Sequence, residues 1–287
     1  MQCYKNAKQI QSIDLQDRAF HYGDGCFSTI RIRNSNIELK QRHLIRLKTA
    51  CQQLNLAITL DEINDILEKS LVQIQVHDLS QEIDDAQKNV AALNGTLKVI
   101  ISRGIGNRGY SSPEQKADML VYYYPNHRVQ EHAIEYIDCG VLTHQIGLTM
   151  PHLVGLKTLN RLEQVILKQE ADQKKYTEAL VLDVHQHIVE GIASNCFIFM
   201  NNKWFTPELR YNGVHGVMRA EILERMQQHH IPVSQSTIEQ HQIKEIDALF
   251  FCNALSAMRV VANLNDIALN TQPCIDLFHR LDLNKMN

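Results

Sequence analysis

The stretch PHLVGLKTLNRLEQV, Pro151–Val165, decides how the rest of this 287-residue chain is read. Pro151 and Gly155 are loop markers, and Leu159, Leu162, Val165 and Ile166 then recur at three- and four-residue steps. That spacing predicts a helix beginning near Thr158. Lys157 is then the last residue before a helix N-terminus, where unpaired amides and the positive end of the helix dipole favour a neutral amine over an ammonium. A lysine reacts near neutral pH only if its pKa, ordinarily about 10.4, is brought down towards about 7, which takes burial or neighbouring positive charge. Taken alone, Lys157 is more simply a solvated side chain opening a surface helix. The other motifs change that balance.

Composition narrows the field first. Apolar residues make up 44% and charged residues 21%, the values of an ordinary globular protein, and the formal net charge is -3. Acids and bases are interspersed, which excludes the basic stripe of a nucleic-acid binder. No apolar run reaches the length of a membrane span, and the first ten residues lack the apolar core of a signal peptide. The seven cysteines are scattered and never spaced C-x-x-C. That is the usage of reduced thiols in a cytoplasm rather than of a disulfide frame or a zinc site. The expectation is a cytoplasmic protein with no bound metal and neither nucleic acid nor membrane as partner.

Outward from Lys157, strands and helices mix without strict βαβ alternation, which predicts an α+β fold in two domains, 1–125 and 126–287, with the lysine in the second. Pro125-Asn126-His127-Arg128 is the expected linker. In the first domain Cys26–Ile32 reads as a strand with Phe27 and Thr29 on one face and Ser28 and Ile30 on the other. Leu44, Leu47, Cys51 and Leu54 mark a helix with Arg46 off its apolar stripe, and Ile63, Ile66, Leu67, Leu71 and Ile74 mark a second. The polar, acidic residues 78–94 read as a loop or frayed helix end, and Thr96–Ser102 and Met119–Tyr124 as strands. In the second domain strands are expected at Ala133–Leu142, Ala179–Leu182, His187–Val189, Cys196–Met200, Lys203–Phe205, Ala248–Cys252 and Arg259–Asn263. A helix follows Gly216, and another spans 273–283.

Gly104-Ile105-Gly106-Asn107-Arg108-Gly109 is formally a dinucleotide-binding G-x-G-x-x-G after a strand. Such a site also needs a long helix opening at the third glycine and an acid about 20 residues on. Tyr110-Ser111-Ser112-Pro113 interrupts instead, so a non-catalytic nucleotide-binding module is the weaker reading. A loop presenting Arg103 and Arg108 to a carboxylate fits better. His185 and His187 share a strand face with no third ligand near, which suits a polar hairpin tip more than a metal site. Val189–Asn195 ends a strand in an acid, a glycine and small residues. Gly213–Arg219 places glycines before a helix, which leaves the amides of Val217 and Met218 able to hold a phosphate.

In order along the chain, Asp17-Arg18…Tyr22-Gly23-Asp24-Gly25, His43-x-x-Arg46-Leu47, Lys157-x-x-Asn160-Arg161, Glu190-Gly191…Ser194-Asn195 and Gly216-Val217-Met218-Arg219 resemble the fold-type IV pyridoxal-phosphate enzymes, from about residue 13 to residue 261. These include branched-chain and D-amino-acid aminotransferases and the aminodeoxychorismate lyases. Gly23–Thr29, Ser102-Arg103-Gly104…Arg108-Gly109-Tyr110, Lys157–Val165 and Cys252-Asn253-Ala254-Leu255 are similar to the lyases. Ser28 stands where the aminotransferases usually carry an acid, and Met218 where threonine is frequent.

The resemblance implies the fold-type IV α+β architecture and pyridoxal 5′-phosphate as cofactor. It implies Lys157 as the residue that binds the cofactor and moves the proton, and Glu190 as partner of the pyridine nitrogen. Arg46, the amides of Val217 and Met218, and Asn253 would hold the phosphate, with Ser194 and Asn195 also at the cofactor. The implied substrate is 4-amino-4-deoxychorismate, converted to p-aminobenzoate and pyruvate in folate biosynthesis. Arg108, Thr29, Arg31 and Arg103 are candidates for its carboxylates. A homodimer is implied as well. The alternative is an aminotransferase acting on branched-chain or D-amino acids, which would share Lys157, Glu190 and Arg46.

Overall fold

A computed structural model describes residues 1–81, 92–126, 128 and 130–286. The chain divides into two compact units, Met1–Gln130 with Lys157–Asn160, and Glu131–Leu156 with Arg161–Met286. The division expected after residue 125 falls after Gln130, and Lys157–Asn160, expected with the second domain, groups with the first.

The first unit contains β1 (Gln2–Lys5), β2 (Lys8–Gln9), α1 (Arg18–Tyr22), β3 (Gly25–Arg33), β4 (Asn36–Ile37), α2 (Lys40–Gln53), α3 (Leu60–Gln81), β5 (Gly95–Ser102) and β6 (Asp118–Pro125). Its six strands form one antiparallel sheet in the order β2-β1-β6-β5-β3-β4. Strand periodicity of two assigns the faces. Cys26, Ser28, Ile30 and Ile32 of β3 and Leu97, Val99 and Ile101 of β5 are buried, as are Leu44, Leu47 and Cys51 of α2 and Ile63, Leu67 and Ile74 of α3. Phe27, Thr29 and Arg31, with Thr96, Lys98 and Ile100, lie half-buried on the other face. Of the stretch 78–94 expected as a loop or frayed helix end, residues 78–81 extend α3, and 82–91 lie outside the described residues.

The second unit contains β7 (Ile134–Cys139), α4 (Leu162–Gln173), β8 (Leu180–Leu182), β9 (Ile188–Gly191), β10 (Asn195–Met200), β11 (Lys203–Pro207), α5 (Val217–Gln228), β12 (Val233–Ser236), β13 (Ala248–Asn253), β14 (Ser256–Leu264), β15 (Ile267–Ala268) and α6 (Gln272–Arg280). One sheet runs β12-β11-β10-β13-β14-β15, with β7 parallel to β14, and β8 and β9 form a separate pair. Cys196, Ile198, Leu249, Phe251 and Val261 fill its core beside Leu180 and Ile188. Sheets and helices of mixed order meet the α+β expectation.

The helix expected from Thr158 begins instead at Leu162. The apolar spacing misled because Leu159 belongs to an extended segment that joins β3. Phe27 N donates to Lys157 O at 2.9 Å, Leu159 N donates to Gly25 O at 3.1 Å, and Thr158 bridges Cys26. β4 pairs only with the far end of β3, at Ile32 and Arg33, so the near end is free to take this segment. Gly25 makes the approach possible, since a Cβ there would lie 2.9 Å from Leu159 Cδ1.

Candidate active site

In the first unit, the short extended segment fixes Lys157 against the open face of β3. Its Nζ lies 4.6 Å from the centroid of the Phe27 ring, and Lys98 Nζ lies 5.2 Å from the same centroid. The environment of Lys157 is therefore an aromatic face with a second ammonium at its edge. The helix end invoked from sequence begins five residues later and is not its neighbour in the chain.

On the buried face of β3, Arg46 donates from Nη2 to Ser28 Oγ, and Ser28 Oγ lies 2.7 Å from His43 Nδ1. Burial, and then the charge of Arg46, hold His43 well below its ordinary pKa. Neutral His43 accepts at Nδ1, so the hydroxyl accepts a hydrogen bond from Arg46 and donates one to His43. This chain fixes the direction of the guanidinium.

The four carboxylate candidates separate. Thr29 is half-buried on the Phe27 face, and Arg108 is exposed in the loop after β5. Arg31 donates to Gln130 O and lies 3.7 Å from Glu38, which Arg33 also approaches at 3.3 Å. Arg103 is placed differently from Arg108. It is buried, and its guanidinium bonds Asp24 Oδ2 at 2.8 Å, Asn55 O at 2.9 Å and Leu54 O at 2.7 Å. Arg18 bonds the same Asp24 Oδ2 at 2.8 Å and Gly109 O at 2.9 Å. Both arginines thus build the glycine loop. Residues 103–117 contain no helix, so the dinucleotide reading of that loop lacks its structural context.

In the second unit, Glu190 ends β9 buried, and its Oε2 accepts from Asn195 Nδ2 at 3.1 Å and Val214 N at 3.0 Å. Asn195 Nδ2 also donates to Val214 O at 2.9 Å. Asn195 therefore orients the acid. The turn between them, Gly191–Ser194, wraps a second buried acid that sequence reading missed. Glu178 receives the amides of Ile192 and Ala193 and the hydroxyl of Ser194. Burial raises its pKa against these bonds. Its sequence signal was a lone acid in the apolar run leading into β8. Arg161, half-buried, donates to Leu156 O at 2.7 Å, and burial lowers its pKa while Glu190 and Glu163 oppose that.

Asn253 follows the same turn. Its Nδ2 donates to Ser194 Oγ at 3.0 Å and Ala193 O at 3.4 Å, and its Oδ1 accepts from the amides of Leu255 and Ser256. Its side chain is thereby tied to the Gly191–Ser194 turn. The start of α5 is uncapped. Gly216 precedes it with no side-chain cap, and Val217 and Met218 open a 12-residue helix whose first amides have no intrahelical acceptor.

The family model for class IV aminotransferases matches residues 25–264. The chain belongs to that family. Class IV enzymes work with pyridoxal 5′-phosphate, and each unit by itself holds groups of the kind it takes: an amine beside an aromatic face in the first, a buried carboxylate and an uncapped helix start in the second. The family member described as aminodeoxychorismate lyase from Vibrio harveyi is 31% identical over 258 residues, 88% of each chain. The crystal structure of 4-amino-4-deoxychorismate lyase from Pseudomonas aeruginosa matches with a TM-score of 0.80 at 28% identity, covering 99% of this chain and 100% of that one. The branched-chain aminotransferase of Escherichia coli shares the fold, with a TM-score of 0.78 at 19% identity over 98% and 91% of the two chains.

Proposed function

We propose that this chain is a pyridoxal-phosphate-dependent lyase that converts 4-amino-4-deoxychorismate to p-aminobenzoate and pyruvate. The observation that carries the reading is the 31% identity over 88% of an aminodeoxychorismate lyase, in a chain whose Lys157 is held on the Phe27 face. When bound, the cofactor supplies an electron sink for the carbon next to the substrate amine.

The chain's own residues supply the rest. Lys157 would hold the cofactor, and its Nζ would take the proton from the amine-bearing carbon of the substrate. Glu190, oriented by Asn195 and Val214, keeps the pyridine nitrogen protonated. Arg46, oriented by Ser28, and the amides of Val217 and Met218 neutralise the phosphate. Thr29 and Arg108 meet substrate carboxylates. Loss of the enolpyruvyl ether leaves an aromatic ring, so the reaction needs no amino acceptor.

Leu162, Val165 and Ile166 of α4 are 71%, 51% and 40% exposed, an apolar row at helical spacing. Such a row suits a second copy of the chain, and a homodimer is part of the proposal. No described helix is long and apolar enough to cross a membrane, and the proposed location is the cytoplasm. The test is a product assay with enzymatically generated aminodeoxychorismate. Equal release of p-aminobenzoate and pyruvate without a keto acid is expected. Amino transfer from a branched-chain or D-amino acid to 2-oxoglutarate, with no p-aminobenzoate, would overturn the reaction and leave the cofactor.

A further inference from the structure

The turn Gly191–Ser194 separates Glu190 from Asn195, the residue that orients it. The path of this turn decides whether Asn195 Nδ2 reaches Glu190 Oε2 at 3.1 Å. Gly191 N closes the turn on Ser194 O at 2.6 Å. The donors that follow converge on Glu178. Its carboxylate accepts from the amides of Ile192 and Ala193 and from the hydroxyl of Ser194, and its Oε1 also accepts from Ala179 N at 3.3 Å. Glu178 reaches the turn because β8 and β9 are paired, with Leu180 opposite Gly191 and Val181 opposite Glu190. Gly191 leaves it room, since a Cβ there would lie 2.8 Å from Glu178 Oε1 and 2.9 Å from Phe251 Cδ1. Ser194 Oγ accepts from Asn253 Nδ2 at 3.0 Å, so its own hydrogen is left for Glu178.

Glu178 is buried and, among the described residues, has no ion pair. Burying a carboxylate without a cation is costly, and hydrogen bonds from the turn and from Ala179 are what offset it here. A carboxylate only accepts, so it suits donors that converge, whereas an amide would turn its NH2 against one of them. We propose that Glu178 is a positioning residue for the reaction: by holding Ile192, Ala193 and Ser194 it sets Asn195 against Glu190 and so keeps the proton on the cofactor's ring nitrogen. The inference rests on Glu190 being the partner of that nitrogen. Its direction follows from hydrogen bonding. Each donor on Glu190 Oε2 favours the ionised acid, so a proton shared between the acid and the ring stays on the ring. Loss of the Asn195 donor makes Glu190 the stronger base, and the proton moves toward its carboxylate. Glu178 acts through Asn195 and needs no contact with cofactor or substrate.

The experiment follows the ring nitrogen by NMR in holoenzyme reconstituted with isotopically labelled pyridoxal phosphate, with urea unfolding alongside. In Glu178→Gln the nitrogen should lose its proton at a pH about one to two units below that of the wild type. That is a roughly 10- to 100-fold change in the proton equilibrium, the range of one hydrogen bond to a charged group. Ser194→Ala removes one donor and leaves the backbone, and it should shift the nitrogen in the same direction by less. In an Asn195→Ala background Glu178→Gln should add nothing to the shift, because it acts through Asn195. Glu170→Gln removes a buried acid that holds a different pair of amides, Thr143 and His144. It should lower stability and leave the nitrogen as in the wild type. In turnover, Glu178→Gln should lower kcat about tenfold with KM changed less than about threefold. Glu178→Gln and Ser194→Ala proteins that lose stability in urea while the nitrogen titrates as in the wild type would overturn the proposal. A Glu190→Gln protein whose nitrogen also titrates as in the wild type would instead refute the role of Glu190 on which the proposal rests.

Discussion

Replacing Gly216 by alanine should damage the support of Glu190 without touching that residue. The backbone at Gly216 is extended, with φ -69° and ψ 139°, so alanine meets no conformational penalty there. The added Cβ would overlap Asn195 Oδ1 and lie 3.2 Å from Asn195 Cγ. Asn195 cannot turn away cheaply, because its Nδ2 holds both Glu190 Oε2 and Val214 O. The structure must either accept the overlap, at about 1–3 kcal/mol, or release the bond to the buried carboxylate, at about 1.5–3 kcal/mol. It will take the smaller cost, so a loss of about 2 kcal/mol is expected, roughly a thirtyfold change in the folding equilibrium. In an Asn195→Ala background the obstacle is absent, and Gly216→Ala should then be neutral or stabilise by about 0.5 kcal/mol through the unfolded chain. Urea unfolding of the four proteins, with cofactor saturating, measures the coupling. Equal costs of Gly216→Ala in both backgrounds would refute the reasoning.

Glu190→Gln should retain the cofactor band but lower kcat by about a hundredfold or more, which stopped-flow and steady-state assays would read; an unchanged rate would remove its assigned role. Arg103→Ala should lower stability by about 2–4 kcal/mol in urea with KM unchanged, whereas Arg108→Ala should raise KM and leave the melting temperature alone. At Glu170, burial opposes ionisation, but Lys174 and the amides of Thr143 and His144 outweigh it and hold the folded pKa low. Its stabilisation is therefore complete above the unfolded pKa of about 4.3 and lost as pH falls through the folded value. Glu170→Gln should thus be less stable than wild type at pH 7 and converge with it in acid, as seen by thermal melts against pH. Lysines at Leu162 and Val165 should shift the protein from dimer to monomer in sedimentation, with the far-UV spectrum unchanged.

What the sequence made legible was the set of elements, because strand alternation and helical spacing are local. The faces of β3 and the apolar stripes of α2 and α3 followed from periodicity alone. The start of α4 did not, because Leu159 fits a helix by spacing but is claimed by Gly25, as Lys157 is by Phe27, residues more than a hundred positions earlier. The apolar row of Leu162, Val165 and Ile166 was real but exposed, since periodicity reports a shared face and not what covers it. Arg103 and Asn253 carried the right chemistry in the right motifs. Their hydrogen bonds are nonetheless used by backbone carbonyls and amides, a fact only the folded chain reveals.

Ser28 was the residue that spoke for a lyase, and its placement changes the form of that argument. It is wholly buried on the face of β3 opposite Phe27 and Thr29, so it does not reach a ligand on that face. An acid at this position would be a buried carboxylate against Arg46 and would form an ion pair with it, at a high desolvation cost. A serine hydroxyl accepts one hydrogen bond from the guanidinium, passes its own proton to neutral His43, and orients Arg46 without neutralising it. The choice between serine and acid at residue 28 therefore acts through the charge that Arg46 retains for an anion. Ser28→Glu should accordingly weaken cofactor phosphate binding before it alters any preference between substrates.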